Sequence, residues 1–156
     1  MGEKYYIAYG SNLDVEKMKD RCPNATIYGT SQIKNYELLF KGYPSRSYLT
    51  IEKKEGSSVP VGVWLTNEED EKLLDIYEDY PNLYYKTEMV LPVKNKQTGV
   101  IQEQTCYVYI MYEDRTFEIP SEEYINTCLT GYRDFGFDEK ILRDVVEQNK
   151  LLCSKK

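Results

Sequence analysis

KYYIAYGSNL, residues Lys4–Leu13, is an aromatic, β-prone run that breaks into glycine, serine and asparagine. Its composition predicts a strand over Lys4–Tyr9 and a turn at Gly10-Ser11-Asn12. Asp14 then caps a short helix reaching about Asp20. A strand that ends in glycine and runs through small polar residues into a helix can aim several backbone N–H groups at one point. Such a nest holds a carboxylate or phosphate without a charged side chain. An ordinary strand-to-helix turn would use the same residues.

Outward from this segment, strand candidates fall at about 25–30, 35–41, 47–53 and 59–65, separated by Gly, Pro and Ser. Val59–Leu65 (VPVGVWL) is apolar enough for a buried strand. Thr66 with Glu69 fits a capping box for a helix running to about Tyr80, before Pro81, with Leu73, Leu74 and Tyr77 as its apolar stripe. Strands at about 84–93 and 102–113 flank a turn at 94–99. Pro120-Ser121 opens a helix to about Phe135, and Asp138 caps a last one to about Leu152. Strands, an internal helix, more strands and terminal helices read as α+β, with a small curled or closed sheet whose mouth suits a ligand. No repeat or linker divides residues 1–156, so a single domain is expected.

Composition removes whole classes of chemistry. There is no histidine among the 156 residues, which excludes Ser-His-Asp and Cys-His catalysis and histidine-based zinc and iron sites. Proton transfer near neutral pH then falls to a carboxylate, tyrosine, lysine or cysteine. Cys22, Cys106, Cys128 and Cys153 are scattered, form no CxxC pair and read as reduced thiols. MGEKYYIAYG lacks the basic-then-apolar order of a signal peptide and the Ser/Thr of a myristoylation pattern. A cytoplasmic location follows, and leaves the Asn24-Ala25-Thr26 sequon idle. With 26 acidic against 20 basic residues and a net charge of −6, neither nucleic acid nor an anionic membrane surface is expected as a partner.

Two further features bear on chemistry. Glu78 follows Leu74 by one helical turn, at the edge of the apolar stripe. A carboxylate partly withdrawn from water there gains the raised pKa that a general base needs, although a solvated helix position explains it as well. Asp75 and Asp79 remain alternatives on pattern alone. The chain is also rich in tyrosine, with 16 in all. Tyr107 and Tyr109 alternate along one strand and so share a face. Most will pack; a few hydroxyls at a cavity would orient a polar ligand.

YIAYGSNL (Tyr6–Leu13) resembles the signature of the γ-glutamyl cyclotransferase-like (AIG2-like) family. NYELLFKG (35–42), the stretch 49–89 with Leu74-Asp75-Ile76-Tyr77-Glu78 in an L-D-x-x-E setting, and PSEEYINTCLTGYRDFGFDEKI (120–141) resemble further family segments in the family's order. The resemblance implies a small mixed β-barrel with flanking helices, no cofactor and no metal. It also implies conversion of a γ-glutamyl amide to 5-oxoproline and a free amine, with Glu78 moving the proton. Tyr9, Gly10, Ser11, Asn12 and Leu13 would hold the γ-glutamyl unit, and Tyr85, Tyr109 and Tyr124 fall where relatives have cavity tyrosines. Lys86 stands where many bacterial relatives have arginine, which touches on the leaving group. A homodimer is left open. Other readings of the same residues are a cyclotransferase for a γ-glutamylamine or biosynthetic intermediate, a non-catalytic small-molecule binding protein, and a carboxylate-dependent hydrolase.

Overall fold

The expected first strand forms over Lys4–Ala8 (β1), and Tyr6, Ile7 and Ala8 are buried in succession, so both of its faces are covered. In the computed structural model, which describes residues 2–155, β1 runs antiparallel to β3 (Arg46–Thr66) and parallel to β5 (Ile101–Met111). Beyond β5 come β4 (Tyr84–Asn95) and β2 (Thr26–Tyr43), both in antiparallel pairings. β2 pairs in turn with β3, which closes the order β3-β1-β5-β4-β2 into a mixed barrel. The seam between β4 and β2 is narrow, made by Gly29↔Asn95 and Thr30↔Lys94. A two-residue strand, β6 (Thr116–Phe117), lies on β2 outside the ring.

The four strand candidates between 25 and 65 are two long strands. Asn35, at φ 64°, and a register shift between Lys34 and Tyr36 bend β2 without ending it. Asn35 Oδ1 accepts the Gly56 N–H at 3.1 Å, so the opposing glycine bends in step. Pro60 stays in β3 opposite Gln32, and only Pro44-Ser45, with Ser45 at φ 69°, turns the chain back.

Four helices flank the barrel: α1 (Val15–Arg21), α2 (Glu68–Tyr77), α3 (Glu122–Phe135) and α4 (Glu139–Ser154). Asp14, Ser121 and Asp138 accept backbone N–H groups at the starts of α1, α3 and α4 as expected. The start of α2 is displaced by one residue. Asn67 and Asp70 form its capping box, because the Thr66 hydroxyl is taken by Lys4 O at 3.0 Å and Tyr107 OH at 2.8 Å. The end is shorter than expected: α2 stops at Tyr77, Glu78 is its C-cap, and Asp79 turns away at φ 53°. Of the expected stripe only Leu74 is buried, while Leu73 and Tyr77 face outward from the core.

Trp64, Phe40, Ile7, Leu49, Ile51, Leu74 and Met111 fill the interior, each buried apolar side chain contributing about 1.5–3 kcal/mol. The loop after β1 meets α3 closely. A Cβ on Gly131 would lie 2.4 Å from Leu13 Cβ, so only glycine lets the helix settle there. All four cysteines are free, with Cys22, Cys106 and Cys128 buried. Among the described residues no helix is long and apolar enough to cross a membrane.

Candidate active site

Because α2 ends at Tyr77, the Glu78 side chain leaves the helix at its last turn and points inward. Its N–H donates to Leu74 O at 2.8 Å, which ties the C-cap to the one core residue of that helix. Glu78 is half-buried, and among the described residues no hydrogen bond or salt bridge reaches its carboxyl. Burial pushes its pKa up to about 8, and the nearby Arg21 charge offsets part of that rise. The two other acidic candidates differ. Asp75 Oδ1 is occupied by Lys86 Nζ at 2.8 Å and Tyr109 OH at 2.6 Å, and Asp79 is exposed, with Oδ1 accepting Asn82 Nδ2 at 3.3 Å.

Opposite Glu78 lies the loop after β1, wound into a single 3₁₀ turn over Ser11–Leu13. Leu13 N–H donates to Gly10 O and Asp14 N–H to Ser11 O, both at 3.1 Å. The amides of Ser11 and Asn12 precede these bonds and lie at the N-terminal end of the turn, where intrahelical acceptors are lacking. Asn12 is fixed on three sides. Its Nδ2 donates to Tyr6 OH at 2.8 Å, its Oδ1 accepts Arg21 Nη1 at 2.6 Å, and its carbonyl accepts Trp64 Nε1 at 3.0 Å. Arg21 in turn covers the Tyr77 ring at 3.7 Å, and Tyr77 OH meets Ser11 Oγ at 2.8 Å. One chain of contacts thus joins the loop to the end of α2.

Between loop and carboxyl is a chamber of about 140 Å³ lined by Ser11, Arg46, Tyr48, Tyr77, Glu78, Asp79, Leu83, Tyr84 and Tyr124. A recess of about 30 Å³ shares Ser11, Glu78, Tyr84 and Tyr124 with it and adds Tyr6, Tyr9, Gly10, Asn12, Leu49 and Tyr109. Tyr9 OH donates to Tyr109 O at 2.6 Å, Tyr84 OH to Leu49 O at 2.8 Å, and Tyr124 OH accepts Leu49 N–H at 3.0 Å. Burial first, and then the Glu78 charge, raise the phenols of Tyr6 and Tyr9 well above their usual range, so they stay protonated donors.

Of the residues singled out in the sequence, Glu78, Tyr9, Gly10, Ser11, Asn12, Tyr109 and Tyr124 meet at this cavity. Leu13 does not: it is fully buried against Gly131 of α3. Tyr85 does not either. Strand alternation sends it to the other face of β4, with its ring 5.4 Å from that of Tyr112, and Tyr84 takes the inward position. Lys86, on the Tyr84 face of β4, does not line the cavity either; it is bound to Glu71 and Asp75 at 2.7 and 2.8 Å. Sequence reasoning missed Tyr6, Arg46 and Tyr48, and of the adjacent pair Tyr84-Tyr85 it took Tyr85 for the cavity residue. Their only local signal was strand parity, which needs a fixed register.

A family model described as "Gamma-glutamyl cyclotransferase, AIG2-like" matches residues 6–126, which include the loop, Glu78 and Tyr124. This chain belongs to that family. It is 30% identical over 146 residues to gamma-glutamylcyclotransferase of Bos taurus, covering 86% of this chain and 73% of that one. To gamma-glutamylcyclotransferase of Homo sapiens it is 30% identical over 141 residues, covering 84% and 71%. A solved structure of a gamma-glutamyl cyclotransferase superposes with a TM-score of 0.76 at 26% identity, covering 92% of this chain and 86% of that one. As an AIG2-like protein, the chain places this chamber and its half-buried glutamate within the γ-glutamyl cyclotransferase fold.

Proposed function

We propose that the protein converts a γ-glutamyl amide to 5-oxoproline and a free amine, with Glu78 as general acid and base. The observation that carries this reading is a half-buried, unbonded carboxyl at the wall shared by chamber and recess. In such a substrate the α-amine attacks its own γ-carbonyl carbon and closes a five-membered ring. The attack is intramolecular, and well-aligned cases reach effective molarities of about 10⁵–10⁸ M. The enzyme's work is to fold the acyl unit and to move two protons off the α-nitrogen. Glu78 takes the first from the α-ammonium, which frees the nitrogen lone pair, and passes it to solvent. The γ-carbonyl oxygen gains charge as the C–N bond forms, and the ring nitrogen, now carrying one proton too many, gives it to Glu78. As the tetrahedral centre collapses, Glu78 delivers that second proton to the departing nitrogen and the old C–N bond breaks.

The energetics fit. A carboxyl raised to about 8 lies much closer to an amine than an ordinary carboxyl does, so taking a proton from the α-ammonium costs less. An arriving ammonium also favours the ionised carboxylate. The amides of Ser11 and Asn12 are suited to an α-carboxylate or to the developing oxyanion. The Tyr6 hydroxyl, which accepts from Asn12 and stays protonated, adds a donor at the recess, whereas those of Tyr9 and Tyr84 already donate to Tyr109 O and Leu49 O.

The test is to supply γ-glutamyl dipeptides, γ-glutamyl amines and glutathione and to detect 5-oxoproline by mass spectrometry. Glu78→Gln should lower turnover by about 10²–10⁴-fold with the fold intact. Near-full activity in that variant would remove Glu78 from the reaction. Carrying out the reaction in ¹⁸O-water separates the hydrolase alternative, because cyclotransfer incorporates no solvent oxygen.

A further inference from the structure

The sequence contains five arginines. Arg115 is paired with Asp114 at 2.9 Å, and Arg133 and Arg143 with Glu139 at 3.1 and 3.2 Å. Arg21 is occupied by the Tyr77 ring and Asn12. Arg46 differs: among the described residues it forms no salt bridge and has no stacked ring, and the groups that chiefly act on it are the Tyr48 hydroxyl and, more weakly, the Asp79 charge. It is exposed, yet it lines the chamber that holds Glu78. The tight turn at Pro44-Ser45 and the Tyr43↔Arg46 pairing place it at the tip of the β2–β3 hairpin, on the rim.

The chamber, about 140 Å³, is small beside the roughly 300–1,000 Å³ of pockets that enclose drug-sized ligands. A γ-glutamyl unit seated against Glu78 fills it, and the group on the far side of the scissile amide must lie across the rim. We propose that Arg46 sets leaving-group preference by receiving the α-carboxylate of an amino acid whose α-nitrogen is the amide nitrogen. The proposal rests on the cyclotransferase reading above.

The chemistry is specific. An amino-acid leaving group adds a second carboxylate to the substrate, which a chain of net charge −6 otherwise repels. A guanidinium presents a planar fork that matches a carboxylate, and one held by no salt bridge has no ion pair to break to do so. A simple amine leaving group offers Arg46 nothing. Asp79, exposed on the same rim, opposes an anion there and keeps the effect moderate.

Two substrates that differ only in this carboxylate test the idea: γ-glutamyl-alanine and γ-glutamyl-ethylamide. The ratio of their kcat/KM values in the wild type should be about fivefold or more in favour of γ-glutamyl-alanine. In Arg46→Gln the ratio should fall to about one, chiefly through KM for γ-glutamyl-alanine, and Arg46→Lys should retain part of it. A wild-type ratio of one or below, or an unchanged ratio in folded Arg46→Gln, overturns the proposal. If neither substrate yields 5-oxoproline, the cyclotransferase reading fails separately. Ligand-induced shifts in melting temperature then decide Arg46. A larger shift with γ-glutamyl-alanine that Arg46→Gln abolishes supports it, and equal shifts overturn it.

Discussion

Glu78 is held where ionisation is costly, and that gives the folded protein a characteristic pH response. Its folded pKa, about 8, lies above the ordinary carboxyl value of 4.5, so between these two values the folded state holds a proton that the unfolded state has released. Stability should therefore fall as pH rises through this window, and Glu78→Gln should flatten the fall. The variant should gain on the order of a few kcal/mol over wild type at pH 9 and little at pH 4, read from urea unfolding at both. Equal stability differences at the two pH values would argue against a buried carboxyl. In the same range kcat/KM should climb towards a limb near pH 8 as the base form appears. The position of Glu78 was legible because one helical turn separates it from Leu74. Its burial was not, since the sequence does not say that α2 stops at Tyr77. At Tyr84-Tyr85 the sequence offered two adjacent tyrosines, and alternation admits only one to the cavity; a single-residue shift in register swaps them.

Elements place the site more than side-chain type does. The loop after β1 and the end of α2 come from segments far apart in the chain and are joined through Ser11, Tyr77, Arg21 and Asn12. Gly10 sets how close the loop comes to α3 and β3, since a Cβ there would sit 3.2 Å from Tyr124 OH and 3.5 Å from Leu49 Cβ. Gly10→Val should displace Tyr124, cost about 1–3 kcal/mol by overpacking and lower turnover at least tenfold, measured by unfolding and 5-oxoproline release. Native stability together with native turnover would show that the close approach is dispensable. The turn itself was readable from Gly-Ser-Asn, as were the caps at Asp14, Ser121 and Asp138. The cap at Thr66 was misread because the pattern Thr-x-x-Glu cannot reveal that Tyr107 and Lys4 already occupy the hydroxyl. Likewise Gly, Pro and Ser between 54 and 60 suggested breaks that long-range pairing with β2 carries straight through.

Across the molecule, cohesion is uneven. β3 contributes Val59, Val61, Val63 and Trp64 to the core and pairs with both β1 and β2. By contrast α4 buries only Leu142 and Asn149, and Leu151 near its end is exposed. Amide hydrogen exchange should be slowest in β1 and β3 and fastest in the last two turns of α4, followed by peptide mass spectrometry. Uniform exchange across both would mean that the helix opens only with the barrel. The barrel also fixes the order of events at its mouth. The recess is walled by Tyr6, Ile7, Tyr9, Leu49 and Tyr109 and lies behind the chamber rimmed by Arg46 and Asp79. A product lodged in the chamber has to wait until the group lying across its rim has gone. Release is then sequential, the amine first and 5-oxoproline second. In steady-state kinetics 5-oxoproline should inhibit competitively against substrate, and the free amine noncompetitively.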